Sequence, residues 1–250
     1  MVMQLDKPLR QKGRYLVREA EGVADLRAAQ RLRHLAFHGD EASLDVDAFD
    51  PICRHFLIED SVSGKLVCVF RMLPLISGGD IDRSYSAQFY ELEALRAYPG
   101  RMVEMGRFCM HPDVHDADVL RVAWGAMTSY VDENKVELLF GCASFAGTDT
   151  SSYLDSFAML RDRHLAPKRW LPRVKAPNVF RFAARLRCKP NLKAAQVNMP
   201  PMLRSYLLMG GWVSDHAVVD QKMNTLHVFT GVEVKSIPAA RKRLLRALAC

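Results

Sequence analysis

The run Val103-Glu104-Met105-Gly106-Arg107-Phe108-Cys109 constrains this chain most, because it is apolar enough to be a buried strand yet carries a carboxylate and a guanidinium three residues apart. Side chains alternate faces along a strand, so positions i and i+3 ordinarily point to opposite sides. Gly106 lies between them, and an isolated glycine in a strand marks a bulge that re-aims a side chain. A bulge there turns Glu104 and Arg107 toward one cleft. Either charge buried alone costs several kcal/mol, so the two must form a structural ion pair or belong to a site. Carboxylates with shifted pKa on buried strands mark sites more often than not.

The pattern around this strand is mixed. Tyr15 to Arg18 reads as a first strand, and Asp25 to Phe37 as a helix with Leu26, Ala29, Leu32, Leu35 and Ala36 on one side. An acid-rich loop, Asp40 to Asp50, leads to an antiparallel hairpin of Phe56–Asp60 and Leu66–Leu73 around the turn 61–65. A short helix is expected near Phe89 to Ala97, a strand over Arg101–Met110 and a helix over Ala117–Glu133. Glu137–Cys142 reads as a buried strand, and Asp149–His164 as a helix capped by Asp149 or Thr150. Pro200-Pro201 opens a short helix ending at Gly210-Gly211. Strands over Trp212–Val219 and Leu226–Thr230 and a basic amphipathic helix, Ile237–Leu248, follow. This order predicts an α/β protein with a mixed sheet built partly of hairpins. It excludes a doubly wound dinucleotide fold, and no GxGxxG occurs.

At 250 residues the chain can bury a full core. A single domain over 1–250 is expected, with a core of about 14–165 and a basic insertion plus terminal strands and helices over 166–250. With 49% hydrophobic and 25% charged residues, disorder is excluded. No apolar run approaches the roughly 20 residues that span a bilayer, and Met1 to Arg14 is polar and basic, so a cytoplasmic protein is expected. The six cysteines (Cys53, Cys68, Cys109, Cys142, Cys188, Cys250) show no CxxC spacing and read as reduced core residues. No metal site is expected: His111 and His115 are at i and i+4, but Pro112 disfavours a helix there and no third ligand is placed.

The net charge of +7 is unevenly spread, for no Asp or Glu occurs from Arg163 to Ser214. Lys168, Arg169, Arg173, Lys175, Arg181 and Arg185 fall in this stretch, interleaved with Trp170, Phe180 and Phe182. Such a surface attracts nucleic acid, anionic lipid or an acidic protein.

Several motifs in order carry a resemblance: Arg33 and Phe37; Asp47-Ala-Phe-Asp50-Pro-Ile-Cys-Arg-His55-Phe-Leu57; Phe70-Arg71-Met-Leu-Pro74; Glu104-Met-Gly106-Arg107; Phe140-Gly-Cys-Ala-Ser144-Phe145; His164-Leu-Ala-Pro167; and Tyr206 to Gly210 with Ala217-Val-Val-Asp220. From about Tyr15 to Thr230 the chain resembles the ornithine-lipid type of amino acid N-acyltransferase, a relative of the acetyltransferases and acyl-homoserine lactone synthases. The resemblance implies an acetyltransferase-like α/β fold: a central mixed, largely antiparallel sheet flanked by helices, with a C-terminal elaboration. It implies transfer of a fatty acyl group, often 3-hydroxylated, from acyl carrier protein to the α-amino group of ornithine. No further cofactor is implied, the phosphopantetheine arm of the carrier being the donor. By the same analogy the strand of Glu104–Met110 splays from that of Leu138–Cys142, and the arm enters there.

The residues support chemistry of this kind. An amine arrives as an ammonium, so a base must take its proton, and burial raising the pKa of Glu104 suits it to that task. Arg107 binds a substrate carboxylate or positions Glu104. Asp47 and Asp50 suit the cationic ends of an amino acid, although Asp before Pro is also turn chemistry. Arg33 and Arg71, inside apolar patterns, suit a bidentate carboxylate clamp, and the resemblance implies that Phe37 of the first helix is also substrate-binding. Ser144 or the Phe145 amide could polarise the thioester carbonyl. Cys142 reads as core before nucleophile, since an amine attacks a thioester directly.

One departure bears on the donor. Acetyltransferases that use coenzyme A carry a glycine-containing turn whose amides cradle a pyrophosphate, whereas 111–118 has no glycine and three acids. An acidic carrier protein with a single phosphodiester suits this loop and gives the basic stretch its partner. The alternatives are the same reaction on glutamine, an acyl-homoserine lactone synthase, and a non-enzymatic nucleic-acid or membrane binder. No nucleic acid is expected under the enzyme reading. The final helix, with Arg241, Lys242, Arg243 and Arg246 beside Leu244, Leu245 and Leu248, suits peripheral contact with an anionic inner membrane or simple docking.

Overall fold

A computed structural model describes residues 10–40 and 42–249. Cys250 and most of the polar start considered above lie outside the described residues. In chain order the elements are β1 (Arg10–Lys12), β2 (Tyr15–Glu19), α1 (Gly22–His38), β3 (Arg54–Asp60), β4 (Leu66–Leu75), β5 (Tyr90–Glu91), α2 (Glu93–Arg96), β6 (Met102–Met110), α3 (Ala117–Glu133), β7 (Leu138–Ala146), α4 (Leu154–Arg163), β8 (Arg173–Val174), β9 (Val179–Phe180), α5 (Phe182–Arg185), α6 (Leu192–Val197), α7 (Pro201–Leu208), β10 (Trp212–Val213), β11 (Ala217–Asp220), β12 (Thr225–Glu233) and α8 (Ala239–Ala249). They fall into two compact units interleaved along the chain.

The first unit comprises Met1–Leu73, Met105–Lys135 and Ala239–Cys250. Its strands lie in the order β1-β2-β3-β4-β6, with β1–β2, β2–β3 and β3–β4 antiparallel. Period-two alternation divides the hairpin between two helices. Leu57 and Val69, opposite one another, pack with Ala29 and Leu32 of α1 and with Cys109. Phe56 and Phe70 face the other way, stacked at 5.0 Å, and the ring of Tyr130 from α3 meets Phe56 edge-on. The predicted helix over Asp25–Phe37 is α1, three residues longer at its start. It ends where Gly39 takes φ 87° and its amide bonds to the Leu35 carbonyl, a conformation glycine adopts without penalty. Asp116 caps α3, its Oδ1 accepting from the Asp118 amide at 2.8 Å, and α8 packs on α3, with Arg246 paired to Asp132.

The second unit comprises Pro74–Glu104 and Val136–Pro238. Here β7, β12, β11 and β9 are successive antiparallel neighbours, and the start of β6 lies parallel to β7, from Met102↔Leu138 to Glu104↔Phe140. One face of β7 and β12 carries Ala143, Phe145, Leu226 and Val228 into a core closed by Phe157, Leu160, Phe182 and Leu203 from α4, α5 and α7. The mixed, largely antiparallel sheet flanked by helices is the architecture the resemblance implied.

Three elements differ from the sequence reading. The helix expected over Phe89–Ala97 is instead β5 followed by the single turn α2, because Tyr90 and Glu91 pair with Val174 and Arg173. That partner lies more than eighty positions away, beyond any local pattern. The helix expected from Asp149 begins at Leu154, since the Asp149 carboxylate bonds Ser151 and holds a turn. The strand expected over Trp212–Val219 breaks between β10 and β11, where Ser214 Oγ donates to the His216 carbonyl at 2.7 Å.

Candidate active site

In the first unit the loop between α1 and β3 carries three carboxylates into a nest of three guanidinium groups. Alternation places Arg71 and His55, which pair across β3 and β4, on the same face as Val69 and Leu57, beneath α1. From α1, Arg33 reaches the same point and is only 1% exposed. It grips Asp50 with both terminal nitrogens, each 2.9 Å from a carboxylate oxygen, and Gln30 adds a third bond at 2.8 Å. Arg71 is bidentate on Asp47 at 2.6 and 2.7 Å and donates to Asp50 at 2.7 Å. Arg107 lies 3.0 Å from both Asp45 and Asp47, while Asp45 Oδ2 is 2.8 Å from Arg33 Nε. Phe49 underlies Arg71 and Phe37 underlies Arg107.

Three positive and three negative charges thus balance within one half-dry nest. Burial opposes ionisation of Asp47 and Asp50, but the guanidinium bonds more than offset it and hold both carboxyls below the ordinary carboxylate range. The guanidinium of Arg71, likewise opposed by burial, is held above its ordinary value by Asp47. Burial pushes the His55 imidazole down, and its Nε2 lies 3.0 Å from the Asp50 carbonyl. Five residues singled out from sequence therefore converge, but they satisfy one another. Asp45, which completes the balance, was missed; its place in the same acidic loop was the available signal. Arg107 and Asp47 form the most exposed edge, their side chains 13% and 19% accessible.

The positive φ in β6 falls not at Gly106, where a bulge was expected, but at the residue after it. Arg107, not Gly106, takes φ 52°, a left-handed conformation that costs a non-glycine residue on the order of 1–3 kcal/mol. Its contacts with Asp45, Asp47 and Phe37 hold it there. At Gly106 a Cβ atom would come no nearer than 3.9 Å, to Arg71 Nε.

Glu104 lies in the second unit and is 5% exposed. A turn of 3-10 helix at Ser86–Gln88 points its start at this carboxylate. Oε2 accepts from the Tyr85 amide at 2.7 Å, and Oε1 accepts from the Ser86 amide at 2.8 Å and the Ser86 hydroxyl at 2.6 Å. All three groups are donors, so both carboxylate oxygens act as acceptors and the side chain is fixed in orientation. Ser86 Oγ is also 3.4 Å from Cys142 Sγ on β7, and Cys142 is half-buried. Ser86 had no sequence signal, because a loop 18 residues upstream delivers it.

Ser144 is exposed on the same strand face as Cys142, opposite His227 of β12. The His227 imidazole is buried and held by the Tyr90 hydroxyl; burial lowers its pKa to about 4, so it is neutral near pH 7. Of the basic residues, Arg169 and Arg173 are exposed and lie 3.7 and 3.8 Å from Glu233 and Glu91. Lys175 donates to the Ala87 carbonyl at 2.6 Å, while Lys168, Arg181 and Arg185 are exposed. The start of α3, where a pyrophosphate would sit, already holds the Asp116 carboxylate, to which the Tyr15 hydroxyl also donates at 2.8 Å. Among the described residues no helix is long and apolar enough to cross a membrane, and no group of three His, Cys, Asp or Glu side chains is disposed to hold a metal ion.

The sheet with its buried strand glutamate has relatives among acyl-transfer proteins. Residues 31–125 match the acetyltransferase (GNAT) domain family. The solved structure of FeeM, an N-acyl amino acid synthase from uncultured soil microbes, shares the fold with a TM-score of 0.52 at 12% identity, over 92% of this chain and 94% of that one. The protein is an N-acyltransferase of the GNAT fold. The L-ornithine N(alpha)-acyltransferase of Rhodobacter capsulatus is 32% identical over 238 residues, 89% of this chain and 91% of that protein. That of Brucella abortus is 26% identical over 88% and 85%. This chain belongs to the L-ornithine N(alpha)-acyltransferase family.

Proposed function

We propose that the protein transfers a fatty acyl group from the phosphopantetheine thioester of acyl carrier protein to the α-amino group of L-ornithine, giving a lyso-ornithine lipid. The observation that carries this reading is the 32% identity to an L-ornithine N(alpha)-acyltransferase along nearly the whole chain. Glu104 serves as the base: its carboxylate is buried, oriented by three donors and able only to accept a proton when ionised. One proton leaves the ornithine ammonium for Glu104, the freed nitrogen attacks the thioester carbonyl, and the sulfur departs as a thiolate that takes the second proton shed by the acylated nitrogen. Within the first unit, Arg107 and Asp47 carry the charges that complement a carboxylate and an ammonium; Arg33, Arg71 and Asp50 hold those two in place, and Phe37 supports Arg107.

A carrier protein as donor is supported by the carboxylate already seated at the start of α3 and by the exposed basic side chains of the acid-free stretch. No cofactor beyond the carrier's arm enters this reading. Peripheral contact with an anionic inner membrane is supported by α8, where Arg243 and Arg246 are exposed beside Leu244, itself 58% exposed. The test is a purified-protein assay with 3-hydroxyacyl carrier protein and either ornithine or glutamine. Ornithine is expected to be acylated at least tenfold faster, and Glu104→Gln to lose roughly 10²–10⁴ in turnover. A preference for glutamine would move the head-group assignment, and full activity of the Gln variant would remove Glu104 as base.

A further inference from the structure

We propose that Ser86 is the positioning and proton-passing partner of Glu104, a role resting on the assignment of Glu104 as base. An ionised carboxylate can only accept, so the 2.6 Å contact fixes the serine proton toward Oε1. Ser86 Oγ then faces Cys142 Sγ, 3.4 Å away, with its lone pairs, and the thiol is the donor between them. The chain runs in one direction, Sγ–H to Oγ–H to carboxylate. Ser86 is fully buried and Glu104 is 5% exposed, so the chain opens toward solvent at the half-buried Cys142, beside exposed Ser144. In this proposal the substrate ammonium, arriving on this face of β7, displaces the Cys142 thiol from the buried serine oxygen and takes its place as donor.

The segment carrying Ser86 is fastened for such a task. Lys175 grips the Ala87 carbonyl, the Ala176 amide bonds the Phe89 carbonyl at 2.9 Å, and β5 pairs with β8. The Ser84 hydroxyl accepts from the Ala87 amide within the same turn. Of the titratable groups packed here, Cys142 lies against the Ser86 hydroxyl, Tyr85 contributes its amide, and Tyr90 is kept neutral by burial, which pushes its hydroxyl well up. In the proposed step the ammonium N–H passes its proton to Ser86 Oγ as the serine proton moves to Glu104 Oε1. The amine lone pair forms the C–N bond, the C–S bond breaks with its electron pair going to sulfur, the second N–H proton shed by the acylated nitrogen goes to the thiolate, and Glu104 gives the first proton to water.

The test compares Ser86→Ala, Ser86→Thr and Glu104→Gln across pH with acyl carrier protein and ornithine. Ser86→Ala keeps both backbone bonds to Glu104, and it is expected to lose about 10–100-fold in kcat near pH 7 with the KM for ornithine unchanged. The deficit is expected to close above about pH 9, where the α-amine is already free base, and Ser86→Thr is expected to recover within about threefold. A wild-type proton inventory in mixed H2O and D2O is expected to be curved, since two protons move together. Wild-type turnover by Ser86→Ala with an inactive Glu104→Gln would overturn the serine role and leave the base standing. An active Glu104→Gln would remove both. A Ser86→Ala deficit that persists at high pH, or a linear inventory, would reduce Ser86 to a structural contact.

Discussion

Replacing Asp50 by alanine tests the ion nest most directly. The carboxylate accepts two bonds from Arg33, one from Arg71 and one from Gln30, at 2.7–2.9 Å, and its side chain is 3% exposed. Without it Arg33, at 1% exposure, keeps only Asp45, and the nest carries a net positive charge at its buried end. Removing one partner of a buried pair costs about 3–5 kcal/mol. For a chain of this size each kcal/mol moves Tm by roughly 2–4 °C, so a fall of about 6–20 °C is expected in circular-dichroism melts at neutral pH. Adding Arg33→Leu restores neutrality, with Arg71 and Arg107 facing Asp45 and Asp47, so the double variant should be more stable than the sum of the singles by about 1–3 kcal/mol. The acid limb provides a second check. Both carboxyls are held below their unfolded values, so their contribution is complete above about pH 4–5 and disappears as pH falls through the lowered values. A fall in Tm under about 3 °C, or additive single effects, would refute the account of the nest as a mutually dependent unit.

Gly106→Ala should cost less than about 1 kcal/mol by urea denaturation, since the added methyl meets nothing nearer than 3.9 Å; Gly211→Ala, whose methyl would sit 2.6 Å from the Tyr206 carbonyl oxygen, should cost more than about 2 kcal/mol. His227 is buried with its pKa lowered from 6.5 to about 4, so the native state should lose stability as pH drops from 6.5 to 4, by roughly 3 kcal/mol; His227→Gln should flatten that part of the stability–pH curve. Charge reversal at Lys168 and Arg169 together should raise the KM for acyl carrier protein about tenfold at low salt with kcat unchanged, and the difference should fade near 0.5 M salt; an unchanged KM would move the docking face elsewhere.

Helices and strands with strong local periodicity were legible in the sequence. The helix over 117–133 matches its predicted limits, and the hairpin and the strand of Glu104 lie where alternation put them. Local pattern was silent where partners are distant: Tyr90 became a strand through Val174, and Ser86 reached Glu104 from a loop. The site was legible by residue type and not by pairing. Arg33, Arg71 and Arg107 stood out because charges inside apolar patterns need partners, and Asp47 and Asp50 as anions of an acid-rich loop, yet which charge meets which is a property of three-dimensional closure.

By itself, then, the sequence determined that a buried strand would carry Glu104 and Arg107 and that a mixed sheet would surround it, because side-chain period and the cost of burying charge act locally. Only the tertiary structure decided that the left-handed residue is Arg107 and not Gly106, that Arg107 is held by Asp45 and Asp47, and that Glu104 is oriented by Tyr85 and Ser86. Those choices depend on which donors the folded backbone brings within about 3 Å of each charge, and no spacing along the chain encodes that distance.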